Sequence, residues 1–333
     1  MKEALYWKKK ENSTVQCFLC PRQCIIKEGN VGFCRVRKNI KGKLQSLIYG
    51  KVSSAVVDPI EKKPLFHFLP GSKAYSIGTV GCNLRCLHCQ NWEISQADIN
   101  CGFLREMSPE EIVDAAIKEN CRSISYTYND PIIFYEYALD TAKLAKKKGL
   151  KNTIVSNGFI NREPLKEWIK YIDAANIDLK GFTDKFYKEI TTAWLEPVLE
   201  TLKFLKDKIW LEVTNLIIPG QNDNMDDIKK MCEWIKNNLG TDVPLHFSRF
   251  WPYYKMQDVP PTREETLTKA RDIALRTGLN YVYIGNISIE NTENTFCPKC
   301  KKLLIERKGF TVTNNNMENS KCSCGEKIAG VWE

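Results

Sequence analysis

Residues 74–89 read AYSIGTVGCNLRCLHC. The first half mixes β-branched and aromatic residues with small ones and predicts a strand. The second half is polar, opens on Gly81 and carries Cys82, Cys86 and Cys89 at the spacing C-x3-C-x2-C. The three cysteines therefore belong to a loop at the C-terminal end of a strand, where barrel enzymes place their chemistry. Three thiolates can hold three corners of a cubane iron–sulfur cluster. With no fourth cysteine in the loop, the remaining iron keeps an open position for a small chelator. The competing reading is a zinc loop, but zinc wants a fourth ligand, and the nearest, His88, lies between two of the cysteines.

Working outward, further strand-like runs follow at SISYTY (123–128), NTIVS (152–156), AANIDL (174–179), WLEVTNLII (210–218), PLHFSRF (244–250) and YVYIG (281–285). Helical patterns separate them. Ser108-Pro109-Glu110-Glu111 forms a capping box, Thr262-Arg263-Glu264-Glu265 repeats it, and Pro131 to Lys148 and Asp223 to Asn238 carry apolar residues at helical spacing. Strands alternating with helices imply a parallel sheet. The expected fold is α/β: a partial (β/α)6 TIM-like barrel of six or seven strands over residues 70–290. A Cys-rich module over 1–50 precedes it, and a zinc-ribbon-like module over 295–333 follows.

The chain has 333 residues, enough for a full core, and its 43% apolar and 27% charged residues fit neither collagen nor wholesale disorder. No uncharged apolar run reaches the roughly 18 residues a membrane helix needs, and MKEALYWKKK is too charged for a signal peptide. The expectation is a soluble, cytoplasmic protein. Fourteen cysteines in a reducing compartment argue for metal rather than disulfides. All but Cys101, Cys121 and Cys232, which read as small buried hydrophobes, fall into clusters.

The triplet Cys82, Cys86, Cys89 resembles that of the radical S-adenosylmethionine (radical SAM) superfamily, whose cluster binds the amino and carboxylate groups of SAM. The resemblance implies SAM contacts at the ends of later strands. Asn129 and Asp130 stand where the family shows a GGEP-like turn that receives the SAM amino group. The twin glycines are missing, but oxygen acceptors are kept. Ser156-Asn157-Gly158 resembles the turn that touches ribose or carboxylate. Asp178-Leu179-Lys180 resembles the D-x-K element of glycyl-radical activating enzymes, with Lys180 neutralising the carboxylate. His88 occupies the aromatic position near adenine.

CNLRCLHCQNWEISQ, SYTYNDP, IDLKG, IIPGQND, FSRFWPYYK and YVYIGN together resemble the AmmeMemoRadiSam-system branch, over nearly the whole chain. Its members are often labelled homologues of pyruvate formate-lyase activating enzyme. The expected chemistry is reductive cleavage of SAM to a 5′-deoxyadenosyl radical that abstracts hydrogen from a C–H bond of a protein or small molecule. The expected electron donor is reduced ferredoxin or flavodoxin.

At the C-terminus, Cys297, Cys300, Cys322 and Cys324 resemble two zinc-ribbon knuckles, the second one residue short, and zinc is favoured over a cluster. Cys17, Cys20, Cys24 and Cys34 suit zinc and an auxiliary cluster equally. Substrate candidates are Glu212, Asn215, His246 and Arg249, the last expected to share the strand face of His246. The net charge of +9 leaves RNA modification as an alternative activity, though nucleic acid is the less favoured partner. A non-catalytic metal-binding interaction module is the other alternative.

Overall fold

The computed structural model describes residues 1–333. Its centre is an eight-stranded sheet of β1 (Ser54–Pro59), β2 (Lys73–Gly78), β3 (Ser123–Tyr126), β4 (Lys151–Ser156), β5 (Ala174–Asp178), β6 (Trp210–Ile217), β7 (Leu245–Arg249) and β8 (Val282–Gly285). The strands lie across the sheet in chain order, β1 antiparallel to β2 and all later neighbours parallel. Six helices make the crossovers: α1 (Pro109–Lys118), α2 (Tyr135–Lys147), α3 (Arg162–Trp168), α4 (Leu195–Leu205), α5 (Met225–Leu239) and α6 (Glu264–Thr277). All seven expected strands are present as an open α/β barrel. The antiparallel edge strand β1 is an addition that its short, proline-ended run does not announce.

The two faces of the sheet follow the two-residue period of a strand. One face carries Ile154, Ile177, Val213, Phe247 and Ile284, all buried in the apolar core. The concave face carries Ser125, Thr153, Asn176, Glu212, His246 and Tyr283, buried and polar. Such groups need partners. The segment 60–72 supplies several by crossing the N-terminal ends of the strands. Asn176 Nδ2 donates to the Pro64 carbonyl at 2.8 Å, and Glu212 accepts the N–H groups of Phe66 and His67 at 3.0 and 2.8 Å. This segment forms the floor of the barrel.

One core cluster of 68 buried residues runs from Ala4 to Ile284, so the cysteine-bearing N-terminal segment packs as part of the barrel wall. A buried ion pair, Arg37 to Glu136 at 2.5 Å, ties that segment to α2. The C-terminal segment forms a three-stranded antiparallel sheet, β9 (Thr295–Phe296), β10 (Leu303–Lys308) and β11 (Thr311–Asn315). Its small core includes Phe66, Tyr281 and Tyr283 of the barrel, so it docks beneath the floor.

The capping box at Ser108 is formed in full. The one expected at Thr262 is not. Thr262 is fully buried, its hydroxyl donates to the Ile217 carbonyl at 2.6 Å, and α6 starts after Arg263 without a side-chain cap. No helix is long and apolar enough to cross a membrane.

Candidate active site and metal centres

The loop after β2 holds Cys82, Cys86 and Cys89 at the rim of a solvent-open cleft of about 1550 Å³, at the C-terminal ends of the strands. His88, Asn129, Asp130, Ser156, Asn157, Asp178 and Lys180 line the same cleft. Four successive strand ends thus deliver every residue expected to contact SAM to one place.

Local hydrogen bonds show how the loop is held. Asn129 accepts the Thr79 N–H at 3.0 Å and donates to the Gly81 carbonyl at 3.0 Å, clamping the chain just before Cys82. Asn83 donates to the Phe159 carbonyl at 2.9 Å and accepts from Asn157 Nδ2 at 2.9 Å, which fixes the loop to the turn after β4. Asp130 accepts the N–H groups of Ile132 and Asn157 at 3.0 and 2.7 Å and the Ser156 hydroxyl at 3.2 Å. Asn129, Asp130 and Asn157 therefore spend most of their hydrogen-bonding capacity on building the rim.

The same cleft carries charge. Lys180 Nζ lies 2.8 Å from Asp178 Oδ2. Burial works against the Lys180 ammonium, but the charge and hydrogen bond of Asp178 outweigh it and hold its pKa above the usual value. Burial pulls the His88 imidazole down to about 3, aided by Lys180, so the ring is neutral, and its Nδ1 is buried without a partner. Asp130 is raised by burial to about 6, against the hydrogen bonds it accepts.

The cysteines test whether a metal centre fits. Burial pushes Cys86 up to about 12 and Cys82 well above its ordinary range. Buried thiols of this kind stay protonated at neutral pH unless a cationic centre stands among them, and iron supplies one. The donor set suits a cluster with three protein ligands.

The proposed substrate residues fall elsewhere. Glu212 is consumed by the floor, taking Trp210 Nε1 at 2.9 Å and His246 Nε2 at 2.6 Å besides the two backbone N–H groups. Asn215 donates to the Leu179 carbonyl at 2.7 Å and lies on the face away from the cleft. Arg249 and His246 are three residues apart, so they take opposite faces of β7 rather than one. Arg249 donates to the Thr262 carbonyl at 2.8 Å and stacks on Trp251. The cleft is lined instead by Thr214, Leu216, Ser248 and Asn286, and from below by Lys62 and Lys63.

Lys63 is the main residue missing from the sequence reading. Its ammonium is buried 2.5 Å from Asp58, which also accepts from the Tyr128 hydroxyl. Burial lowers Lys63 to about 8, against the pull of Asp58. No motif marks this group, because Tyr128, just past β3, meets Asp58 of β1 only when both strands flank β2.

The C-terminal cysteines converge tightly. The sulfurs of Cys297, Cys300, Cys322 and Cys324 all lie within 4.8 Å of one another, with Cys297 to Cys324 at 3.7 Å and Cys300 to Cys322 at 3.5 Å. This group can hold a metal ion.

Comparison with known proteins follows the same lines. The family model for the radical SAM superfamily matches residues 76–235. The chain belongs to the radical SAM superfamily. A protein of Methanocaldococcus jannaschii named "Uncharacterized protein MJ0808" is 52% identical over 332 residues, covering 98% of this chain and 99% of that protein. The pyruvate formate-lyase 1-activating enzyme of Escherichia coli K12 is 22% identical over 219 residues, covering 60% of this chain and 87% of the enzyme. Among solved structures, Streptococcus suis SuiB bound to S-adenosylmethionine overlays with a TM-score of 0.50 at 13% identity, covering 72% of this chain and 56% of that one. The overlay shows a shared fold. As a radical SAM enzyme similar to the activases, the chain falls in a family whose cofactors are a [4Fe–4S] cluster and SAM.

Proposed function

We propose that this radical SAM enzyme cleaves SAM at a [4Fe–4S] cluster held by Cys82, Cys86 and Cys89, and uses the product radical to take hydrogen from a C–H bond. On the motifs of its sequence we assign it to the AmmeMemoRadiSam branch. The observation that carries the reading is one cleft lined by the three cysteines and by Asp178 and Lys180 at successive strand ends. When bound and reduced, such a cluster supplies the one electron that splits SAM into methionine and a 5′-deoxyadenosyl radical.

The residues of this chain bind and orient. Lys180, fixed by Asp178, offers a permanent positive charge to the SAM carboxylate. Asn129, Asp130 and Asn157 hold the cysteine loop and the adjoining turn in register, with Asp130 adding negative charge near the SAM ammonium. His88, neutral and buried, offers an apolar ring face and one acceptor nitrogen toward adenine. The floor closes the far end of the barrel and keeps bulk water from the radical. The open mouth admits a loop of a partner protein or a small molecule, and the net positive charge suits an acidic ferredoxin or flavodoxin as donor. Cys297, Cys300, Cys322 and Cys324 hold zinc, which staples the C-terminal sheet.

The test is 5′-deoxyadenosine formation by anaerobically reconstituted protein with SAM and a strong reductant. Wild type should make the product and Cys86→Ala should make none above background. A loaded, reduced wild type that forms no 5′-deoxyadenosine would sink the proposal.

A further inference from the structure

We infer that Cys17, Cys20, Cys24 and Cys34 hold a second [4Fe–4S] cluster, set against the loop of the first and relaying electrons to it. The relay part rests on the function proposed above; the second site does not.

All four cysteines line a single narrow pocket between the N-terminal segment and the barrel. Their arrangement differs from that of the C-terminal set. Tetrahedral zinc with Zn–S bonds of about 2.3 Å brings its sulfurs to within about 3.8 Å of one another, and two of the C-terminal pairs, at 3.7 and 3.5 Å, show that spacing. That C-terminal set is the one group whose ligand atoms all fall within 4.8 Å. Neither the N-terminal sulfurs nor those of Cys82, Cys86 and Cys89 converge in that way. A cubane, whose thiolates bind separate irons, holds its sulfurs farther apart than a single zinc ion does.

A second observation points to an anion in this cavity. Arg37 lines it and is 2% exposed. One guanidinium nitrogen bonds Glu136 and the Leu5 carbonyl, but Nε and Nη1 are buried with no partner. Orphaned charged donors are costly. The sulfides and thiolates of a cluster are acceptors of the right sign.

The wall between the two sites is thin. Asn83, the neighbour of Cys82, lines the N-terminal cavity, and Arg22 Nε donates to its carbonyl at 2.5 Å. Phe33, next to Cys34, is held between Arg22 and the Arg85 of the central loop, at 3.5 and 4.2 Å from its ring centre. In the relay, the second cluster is oxidised by one electron as the first is reduced by one. A low-potential one-electron carrier of the ferredoxin or flavodoxin class then restores it.

The experiment measures iron, sulfide and zinc, with EPR of the reduced state, on the anaerobically reconstituted full chain. Wild type should hold about eight irons and about eight sulfides. The triple variant Cys82→Ala, Cys86→Ala, Cys89→Ala leaves the N-terminal site intact and should keep about four, with an EPR signal that SAM does not alter. Cys20→Ser with Cys24→Ser should keep the other four, SAM-sensitive. Its 5′-deoxyadenosine formation should fall about tenfold or more with a protein donor but persist with dithionite. A triple variant without iron and sulfide, or with zinc in their place, overturns the second cluster. Equal losses with both reductants overturn the relay. Eight irons in wild type without any response to SAM would leave the second site standing and strike the proposed function instead.

Discussion

Asp130 joins the ends of β3 and β4 through three donors, and burial raises its carboxyl to about 6. It is ionised at neutral pH and takes a proton as the pH falls through about 6, losing acceptor strength toward Ile132, Ser156 and Asn157. SAM affinity of the loaded protein should therefore weaken across that interval, and Asp130→Asn should bind SAM more weakly with a flat profile. Equilibrium binding of SAM from about pH 8 to about pH 5 checks this. The effect on stability has the opposite sign. The folded pKa lies above the unfolded 3.8, so Asp130 favours the fold most at low pH and that contribution is lost as pH rises through about 6. A buried carboxylate kept at this cost is consistent with a cationic ligand beside it.

At the scale of elements, the cysteine loop depends on a backbone approach that only glycine permits. Gly81 has φ of +89°, and a Cβ there would stand 2.5 Å from the Cys34 carbonyl oxygen. Gly81→Ala should cost about 2–4 kcal/mol and release iron from the central site. Ser108→Ala, which removes the cap of α1 far from the cleft, should cost about 1 kcal/mol and leave SAM cleavage unchanged. Thermal melts with iron analysis separate the two.

The same elements show what a sequence can disclose. Parallel strands are buried on both faces, so their β-branched runs stand out, and the cysteine spacing and strand-end motifs are local in the chain. The Thr262 box carries the same letters as the Ser108 box, yet a tertiary contact to Ile217 takes its hydroxyl. The place of Lys63 and Asp58 beside the cleft is illegible for the converse reason, since Tyr128 reaches Asp58 only after β1 and β3 have both paired with β2.

At the scale of the molecule, His67 is the pin between barrel floor and C-terminal segment, its ring nitrogens bonded to the Ala329 carbonyl at 2.7 Å and the hydroxyl of Tyr283 on β8 at 2.6 Å. Burial lowers it to about 4, against the attraction of Glu212. The unfolded chain thus binds more protons between about 4 and 6.5, and stability is lost as pH falls through that window. The loss amounts to about 3 kcal/mol, and His67→Gln should flatten the acid limb of a denaturation series.

The N-terminal segment, by contrast, is pinned by residues far along the chain: Arg37 by Glu136, Leu5 by Glu136 and Phe18 by Asn161. On a ribosome adding about 5–20 residues per second, Cys17 to Cys34 emerge roughly 5 to 20 seconds before their walls exist. During that interval four unshielded thiols on a nascent chain are open to oxidation and to stray metal ions, and the pocket that would hold the inferred cluster forms only once the chain through Asn161 has emerged.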